Sequence, residues 1–477
     1  MKQTPIYQQL AEQLAEQIKT GVYQAGQKLP SVRGLAKQMN ISITSVMAAY
    51  NYLEAQEIIE ARYKSGFYVK PQVHFAAPQA GDNKIPPTPE SVTSSQLIID
   101  LVASAADGKY HQFSVANPAA DLPANEPLRK SFAKLVRQRY SVMQRNTELQ
   151  GTIKLRQQLT RVLADAGIMT TPDNIIITTG CQSAMMLCLR ALAKPGDIIA
   201  ISSPAYYRIL QLLEALDLKV LEIPSHPVTG IDLTVLDGML SQWPVKALIT
   251  CPNFANPLGD SMPIEHQQQL LEIVTKYNTT IIEDDVFGEL GYQKERPKAL
   301  KSLDKNGQVL YCSSASKSIS PQLKTGWLVA DKHKQTILYQ QLLMGLAPPM
   351  INQLSLADYL TYGNYHQHLS QARQRYQQRY YQALTILQDY FPTDIRLSSP
   401  KGGFVLWVEL PKSSDTTQLY FSAKEQGILI APGELFSVSP EKYKHCFRIN
   451  FSQPWEQDRI EAIKKLGTLI KQLTTSI

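Results

Sequence analysis

Cysteine is scarce in this 477-residue chain. Its five residues, Cys181, Cys188, Cys251, Cys312 and Cys446, are odd in number and show no Cys-x-x-Cys spacing. They sit in segments that read as buried core, and a reducing, cytoplasmic setting is expected. Also lacking is any run approaching the ~20 apolar residues that a bilayer crossing requires. The opening Met-Lys-Gln-Thr-Pro-Ile-Tyr-Gln has no apolar h-region, so neither secretion nor membrane insertion is expected. Charge of one sign is not in large excess: a net +7 fits a basic patch better than a polyanion-coating surface. No internal repeat is found. With 44% hydrophobic residues the chain can bury two or three cores, and disorder throughout is excluded.

Residues 5 to 70 carry short helical patterns and a hairpin. Ile6, Leu10, Leu14 and Ile18 recur four apart and give one helix an apolar face. After a Gly-Val-Tyr-Gln-Ala-Gly turn, Leu29-Pro30-Ser31-Val32-Arg33 opens a second helix that Ser31 can cap. Ser42 can cap a third, whose buried stripe is Val46, Tyr50 and Leu53. Thr44, Ser45 and Ala48 are then expected to face outward, small enough for close approach to base edges in a major groove. Ile58 to Val69 reads as a two-stranded wing with a basic tip at Arg62 and Lys64. Eight Lys and Arg stand against five Glu in residues 1–70, a net +3 that fits phosphate contact.

This order of Leu-Pro-Ser-x-Arg, Leu-Ala, Ser-x-x-Ser-Val and Ser-Gly-x-x-Val resembles the GntR-family winged helix. The resemblance implies DNA contacts through Ser31, Arg33, Ser42, Thr44, Ser45, Lys64 and Gly66. Two positions depart from it: Ile43 stands where arginine is common, and Gln56 where glycine is common. An aliphatic Ile43 can meet a thymine methyl but cannot bridge guanine. Residues 71 to 96 are rich in proline with no apolar period, which reads as a flexible linker.

From Leu97 to the end, β-branched runs such as Ile175-Ile-Ile-Thr, Ile198-Ile-Ala-Ile and Thr280-Ile-Ile-Glu alternate with helical stretches. That pattern predicts an α/β domain, a mostly parallel sheet with helices on both faces. A set of chemistry-bearing segments is threaded through it: Thr179-Gly180-Cys181-Gln182, a strand-to-helix turn able to hold phosphate; Ser203-Pro204-Ala205-Tyr206; Asn253-Phe-Ala-Asn256-Pro257-Leu-Gly259; Glu283-Asp284-Asp285-Val-Phe287; Ser314-Ala-Ser316-Lys317; Lys324-Thr-Gly326-Trp327; and Phe447-Arg448-Ile-Asn450.

Their order is similar to that of fold-type I, class I aminotransferases that use pyridoxal 5'-phosphate (PLP), over about 380 residues, and it adds a smaller α+β domain to the fold. With the GntR-like head, the whole resembles a MocR-type transcriptional regulator. The resemblance implies that Lys317 forms the Schiff base and that Asp284 faces the pyridine nitrogen. It further implies that Tyr206 stacks on the ring, with Tyr207 ranked second, and that Asn256 reaches the phenolic oxygen. Cys181, Gln182, Ser314, Ser316 and Lys324 are to surround the phosphate, and Arg448 is to clamp a substrate carboxylate. Phe287 replaces a tyrosine and Lys324 an arginine, changes expected to weaken PLP retention. Cys181 stands in for a more usual serine or glycine. Arg208 is a candidate for a second acidic group on the ligand, with a solvated helix position as its plainer reading. The expected partners are promoter DNA with paired half-sites, a small amino-compound effector that reacts at Lys317, and a second copy of the chain. A working aminotransferase with a tethered head is the alternative, and no metal is expected.

Overall fold

In the head, the four-residue apolar spacing forms α1 (Ile6–Lys19), although the buried face runs through Leu10 and Leu14 while Ile6 is exposed. α2 (Val32–Met39) starts where the Ser31 hydroxyl accepts the Gly34 N–H at 3.1 Å, and it stops at Asn40, whose backbone turns left-handed. α3 (Ile43–Ala55) starts the same way, with Ser42 accepting the Ser45 N–H at 3.0 Å. Each such cap stabilises its helix by about 1 kcal/mol. Val46, Tyr50 and Leu53 are buried in one small core with Leu10, Leu14 and Leu35. The wing is the antiparallel pair β1 (Ile59–Arg62) and β2 (Gly66–Val69), in register from Ile59 opposite Val69 to Arg62 opposite Gly66.

The computed structural model describes residues 5–62, 65–71, 75–79, 88–92, 96–138 and 148–475. Lys64, expected at the wing tip, lies outside the described residues, as do parts of the 71–96 segment. What is described of that segment is docked rather than free. Ala76 bridges to Arg396, the Gln79 N–H donates to Glu409 at 2.8 Å, and Glu90–Ser91 pairs with Val220 and Lys219 at the sheet edge. The large domain therefore recruits strand from within the stretch expected to be linker. Proline-rich backbone stays extended and keeps its other N–H and C=O groups unpaired, which is what a sheet edge can capture.

The central sheet runs, edge to edge, through Glu90–Ser91, Lys219–His226, Ile198–Ser203, Val245–Thr250, Thr280–Asp284, Val309–Ser314, Gly326–Val329 and Ile175–Thr178. Its middle strands are parallel, while Gly326–Val329 runs antiparallel to both neighbours. Nearly every residue of these strands is buried, which is why they read as unbroken apolar runs. A second, antiparallel sheet of Arg396–Leu397, Val405–Glu409, Cys446–Asn450 and Ala431–Pro432 forms the smaller domain. A short parallel pair, His111–Gln112 with Ile428–Leu429, ties the start of the large domain to it. Among the described residues no helix is long and apolar enough to cross a membrane.

Candidate functional site

Two surfaces carry the chemistry. On the head, Arg33 is exposed and no carboxylate pairs with it among the described residues, so its guanidinium faces solvent. At the start of α3 the Ser42 hydroxyl lies 2.7 Å from that of Thr44 and 2.8 Å from that of Ser45, a hydroxyl cluster held by the cap itself. Thr44 is exposed, whereas Ser45 and Ala48 are only half-buried. Ile43 and Met47, one turn apart, expose apolar side chains on the same helix. Met47 was not singled out from sequence, because a methionine one turn into a helix reads as core. Gly66 opens β2 with φ +112°. Arg62, expected at a basic wing tip, instead lies against Tyr68, its guanidinium 3.9 Å from the ring centroid and bonded to Glu60. In the register Tyr68 faces Glu60 and Arg62 faces Gly66, so the Arg62–Tyr68 pair is diagonal, a spacing that long and aromatic side chains span, and arginine stacks readily on an aromatic face.

The second site sits at the carboxyl ends of the parallel strands. Lys317 follows the strand Val309–Ser314, and its Nζ donates to the carbonyl of Ala116 at 2.6 Å. Burial, then the neighbouring Arg448, pulls its amine down from the ordinary 10.5 to about 8, against the pull of Asp284. Asp284 ends the adjacent strand; burial lifts it to about 6, although its Oδ1 accepts the Cys181 thiol at 3.5 Å and the Val286 N–H at 3.3 Å. The following Asp285 is turned away, buried against Arg296 and the Tyr311 hydroxyl at 2.8 Å, and so belongs to the scaffold. That division of the acidic pair agrees with strand alternation, successive side chains pointing to opposite faces.

Helix Cys181–Leu192 begins at Gly180, at φ +92°, with no side chain capping its first N–H groups. Those donors are left for an anion. Gly326 lets the turn exist: a Cβ there would lie 2.5 Å from the Gly180 carbonyl carbon. Gln182 is half-buried in the first turn of this helix. The Ser314 hydroxyl accepts the Ser316 N–H at 3.4 Å, placing both in the loop that presents Lys317. Lys324 is exposed, in a left-handed conformation at φ +46°. These parts fit a phosphate and a protonated ring nitrogen, the two charged ends of PLP.

Tyr206 caps helix Tyr207–Ala215 and is half-buried, with its ring 4.8 Å from that of Tyr207. Tyr207 itself is core, edge-on to Phe436 at 5.8 Å, which leaves Tyr206 as the ring available to a ligand. Phe287 is sealed in the core, edge-on to Phe404 at 5.2 Å, and has no polar atom to offer a cofactor. Arg448 is fully buried; its Nη1 donates to the Asn256 side-chain oxygen at 2.9 Å and its Nη2 to the Ser114 carbonyl. Arg208, half-buried near Tyr206, has a sealed Nε without a partner.

Sequence reasoning missed the loop that meets these groups. Residues 114–117 accept from Arg448, from Lys317 and, at Val115 and Asn117, from the Asn450 amide at 2.8 and 2.9 Å. All four contributions are backbone carbonyls, which leave no mark in residue type. Among the described residues no cluster of His, Cys, Asp and Glu is arranged to hold a metal ion.

Two family models match the chain. Residues 122–466 match the family described as aminotransferase class I and II, and residues 6–69 match bacterial regulatory proteins of the gntR family. The HTH-type transcriptional regulators YjiR and YdcR of Escherichia coli (strain K12), neither yet characterized, are similar over nearly the whole chain. YjiR is 36% identical across 97% of this chain and 98% of its own; YdcR is 37% identical across 98% and 99%. Among solved structures, LysN, an alpha-aminoadipate aminotransferase of Thermus thermophilus complexed with N-(5'-phosphopyridoxyl)-L-leucine, superposes with a TM-score of 0.74 at 25% identity. That match covers 80% of this chain and 96% of LysN.

Proposed function

The chain belongs to the class I and II aminotransferase family and carries a GntR-family winged helix ahead of it, the make-up of MocR-type transcriptional regulators; from that premise we propose how its two sites work together. It is a DNA-binding regulator whose large domain uses PLP, and the cavity at Lys317 senses a small amino compound bearing a carboxylate. Bound there, PLP supplies a reactive aldehyde and a pyridinium ring that withdraws electrons. The rest is the work of this chain's residues. Lys317, drawn down to about 8, keeps a usable fraction of neutral, nucleophilic amine near neutral pH. Asp284 offers a carboxylate to a ring nitrogen, and the uncapped helix start at Cys181 and Gln182, with Ser314, Ser316 and Lys324, offers donors to a phosphate. Tyr206 provides a ring face. Arg448, oriented by Asn256, is the planar fork for the effector's carboxylate.

One observation carries this reading: a half-buried amine and a buried acid, Lys317 and Asp284, lie close enough to shift one another beside an arginine held by Asn256. The aminotransferase family supports a homodimer, which would present two winged helices to paired half-sites in cytoplasmic DNA. The test is the near-ultraviolet and visible absorption spectrum of the chain with PLP, wild type beside Lys317→Ala, followed by titration with amino compounds. A band that needs Lys317 and shifts with one class of amine is expected; equal spectra for the two proteins would overturn the reading.

A working aminotransferase is the second reading, favoured because Lys317, Asp284 and Arg448 are all retained. Sustained amino transfer to a 2-oxo acid at a rate unchanged by removal of residues 1–75 would establish it.

A further inference from the structure

The long helix Tyr365–Tyr390 belongs to the large domain but is not confined to it. Gln374, Gln377, Gln378 and Tyr381 fall at i, i+3, i+4 and i+7, one polar stripe along its length. The wing of the head lies on that stripe. Gln377 donates to Glu60 at 3.3 Å and the Tyr381 hydroxyl donates to the other Glu60 oxygen at 3.2 Å, while Gln374 reaches the Ser65 hydroxyl at 3.4 Å. The approach is close enough that a Cβ at Gly26 would lie 2.9 Å from the Gln378 Cα. Glu60, so held, bonds the Arg62 Nε at 2.8 Å, and the Arg62 side chain keeps only 14% of its exposure.

We propose that this stripe is a docking surface for the chain's own wing and that it competes with DNA for Arg62. Three observations favour a reversible contact. The bonds are polar and, among the described residues, few. A cleft of about 1060 Å³ remains beside them, between α1 with the wing base and the helix side chains Gln382 and Ile386, so the two domains are not packed into one core. The helix itself is anchored firmly on its other faces, through Arg373 to the Glu289 carbonyl at 2.7 Å and Arg379 to Asp121 at 2.8 Å, so the wing is the part that leaves. The same helix reaches the cavity: His368 bonds the carbonyl of Ser318, next to Lys317, at 2.6 Å. A shift of the Lys317 loop is thereby felt on the helix that holds the wing.

The inference rests on the head binding DNA and not on any cofactor at Lys317, and its test keeps the two apart. Full-length protein is titrated against a short mixed-sequence DNA duplex over a range of salt, because binding without sequence preference reports phosphate contacts. Combined Gln377→Ala and Tyr381→Ala are expected to tighten binding and to steepen the slope of log K against log salt by about 0.9, one added phosphate. The gain then widens about threefold for each fourfold dilution of salt. Arg62→Gln in that background is expected to abolish the gain while changing little in the wild type. Tyr381→Phe, which deletes one hydroxyl and keeps the packing, gives a smaller rise in the same direction and guards against misfolding. Equal slopes and affinities for wild type and the double variant, or a gain that survives Arg62→Gln, would overturn the proposal. The Lys317-dependent absorption band is read on every variant: its absence from the wild type would sink the cofactor reading and leave this result standing.

Discussion

The reader face and the lysine cavity are built in opposite ways. At the reader face the contacts are local: Ser42 caps a residue three positions on, and the hydroxyls that meet solvent are neighbours in the chain. In the cavity the bonds join distant segments, Lys317 to Ala116 across 201 residues and Arg448 to Asn256 across 192. The first site is wet, so its groups act on a ligand through water and salt. In the second, burial lowers the dielectric around the charges, so they shift one another, as Lys317 and Asp284 show. A site built locally can tolerate replacement of one member; a buried network leaves the partner of any deleted charge unpaired.

That contrast orders the expected effects of mutation. The largest belongs to Asp284→Asn, which removes the buried acid opposite a pyridinium: loss of about 3–5 kcal/mol in PLP affinity, a hundredfold or more, checked by equilibrium titration of the Lys317-dependent band. Next comes Arg448→Lys, which keeps the charge but loses the fork. Effector affinity is expected to fall by about 2 kcal/mol or more while PLP affinity stays within a few-fold, as measured by titrating effector against the preformed band. At the reader face Ser42→Ala costs only about 1 kcal/mol of head stability, read as a lowered melting transition, with the cavity spectrum unchanged. If Ser42→Ala disturbed the cavity as much as Asp284→Asn does, the distinction between local and distributed sites would collapse.

The smallest effect is one of pH. The amine of Lys317 falls from 10.5 to about 8 on folding, so below pH 8 the protein bears the cost of a half-buried cation near Arg448. The stability of the PLP-free protein is expected to drop as pH is lowered from 10.5 through about 8, with little further change from this group below that. The rate at which PLP is captured should rise with pH and level off above about 8, as followed by stopped-flow absorbance. Asp284 works with the opposite sign: lifted to about 6, it favours the folded state most below 3.8, and that contribution is lost as pH rises through 6.

Legibility from sequence follows the same division. The caps at Ser31 and Ser42, the α3 core and the alternation of strands and helices are local or periodic, and they are where the sequence predicts them. Asp284 was told from Asp285 by the resemblance to the aminotransferases, and strand alternation alone says only that the two point to opposite faces. The docking of Ala76, Gln79, Glu90 and Ser91 was not legible, because proline-rich backbone joins a sheet through N–H and C=O groups that every residue has. Loop 114–117 was hidden for the same reason. Arg62 misled because a basic residue near a wing tip reads as solvent-facing until Tyr68, Glu60 and the long helix are placed around it.

Arg448 enters this fold with its guanidinium already committed to Asn256 and to the Ser114 carbonyl, and it has no exposure to solvent. Its Nε alone is buried without a partner, so an arriving carboxylate that uses the whole fork takes over bonds that exist on Nη1 and Nη2, and the displaced carbonyl must find other donors. Exchange of one set of bonds for another returns little net free energy. Under the function proposed above, such a site would release its ligand readily when the concentration outside falls, and its response would follow supply down as well as up.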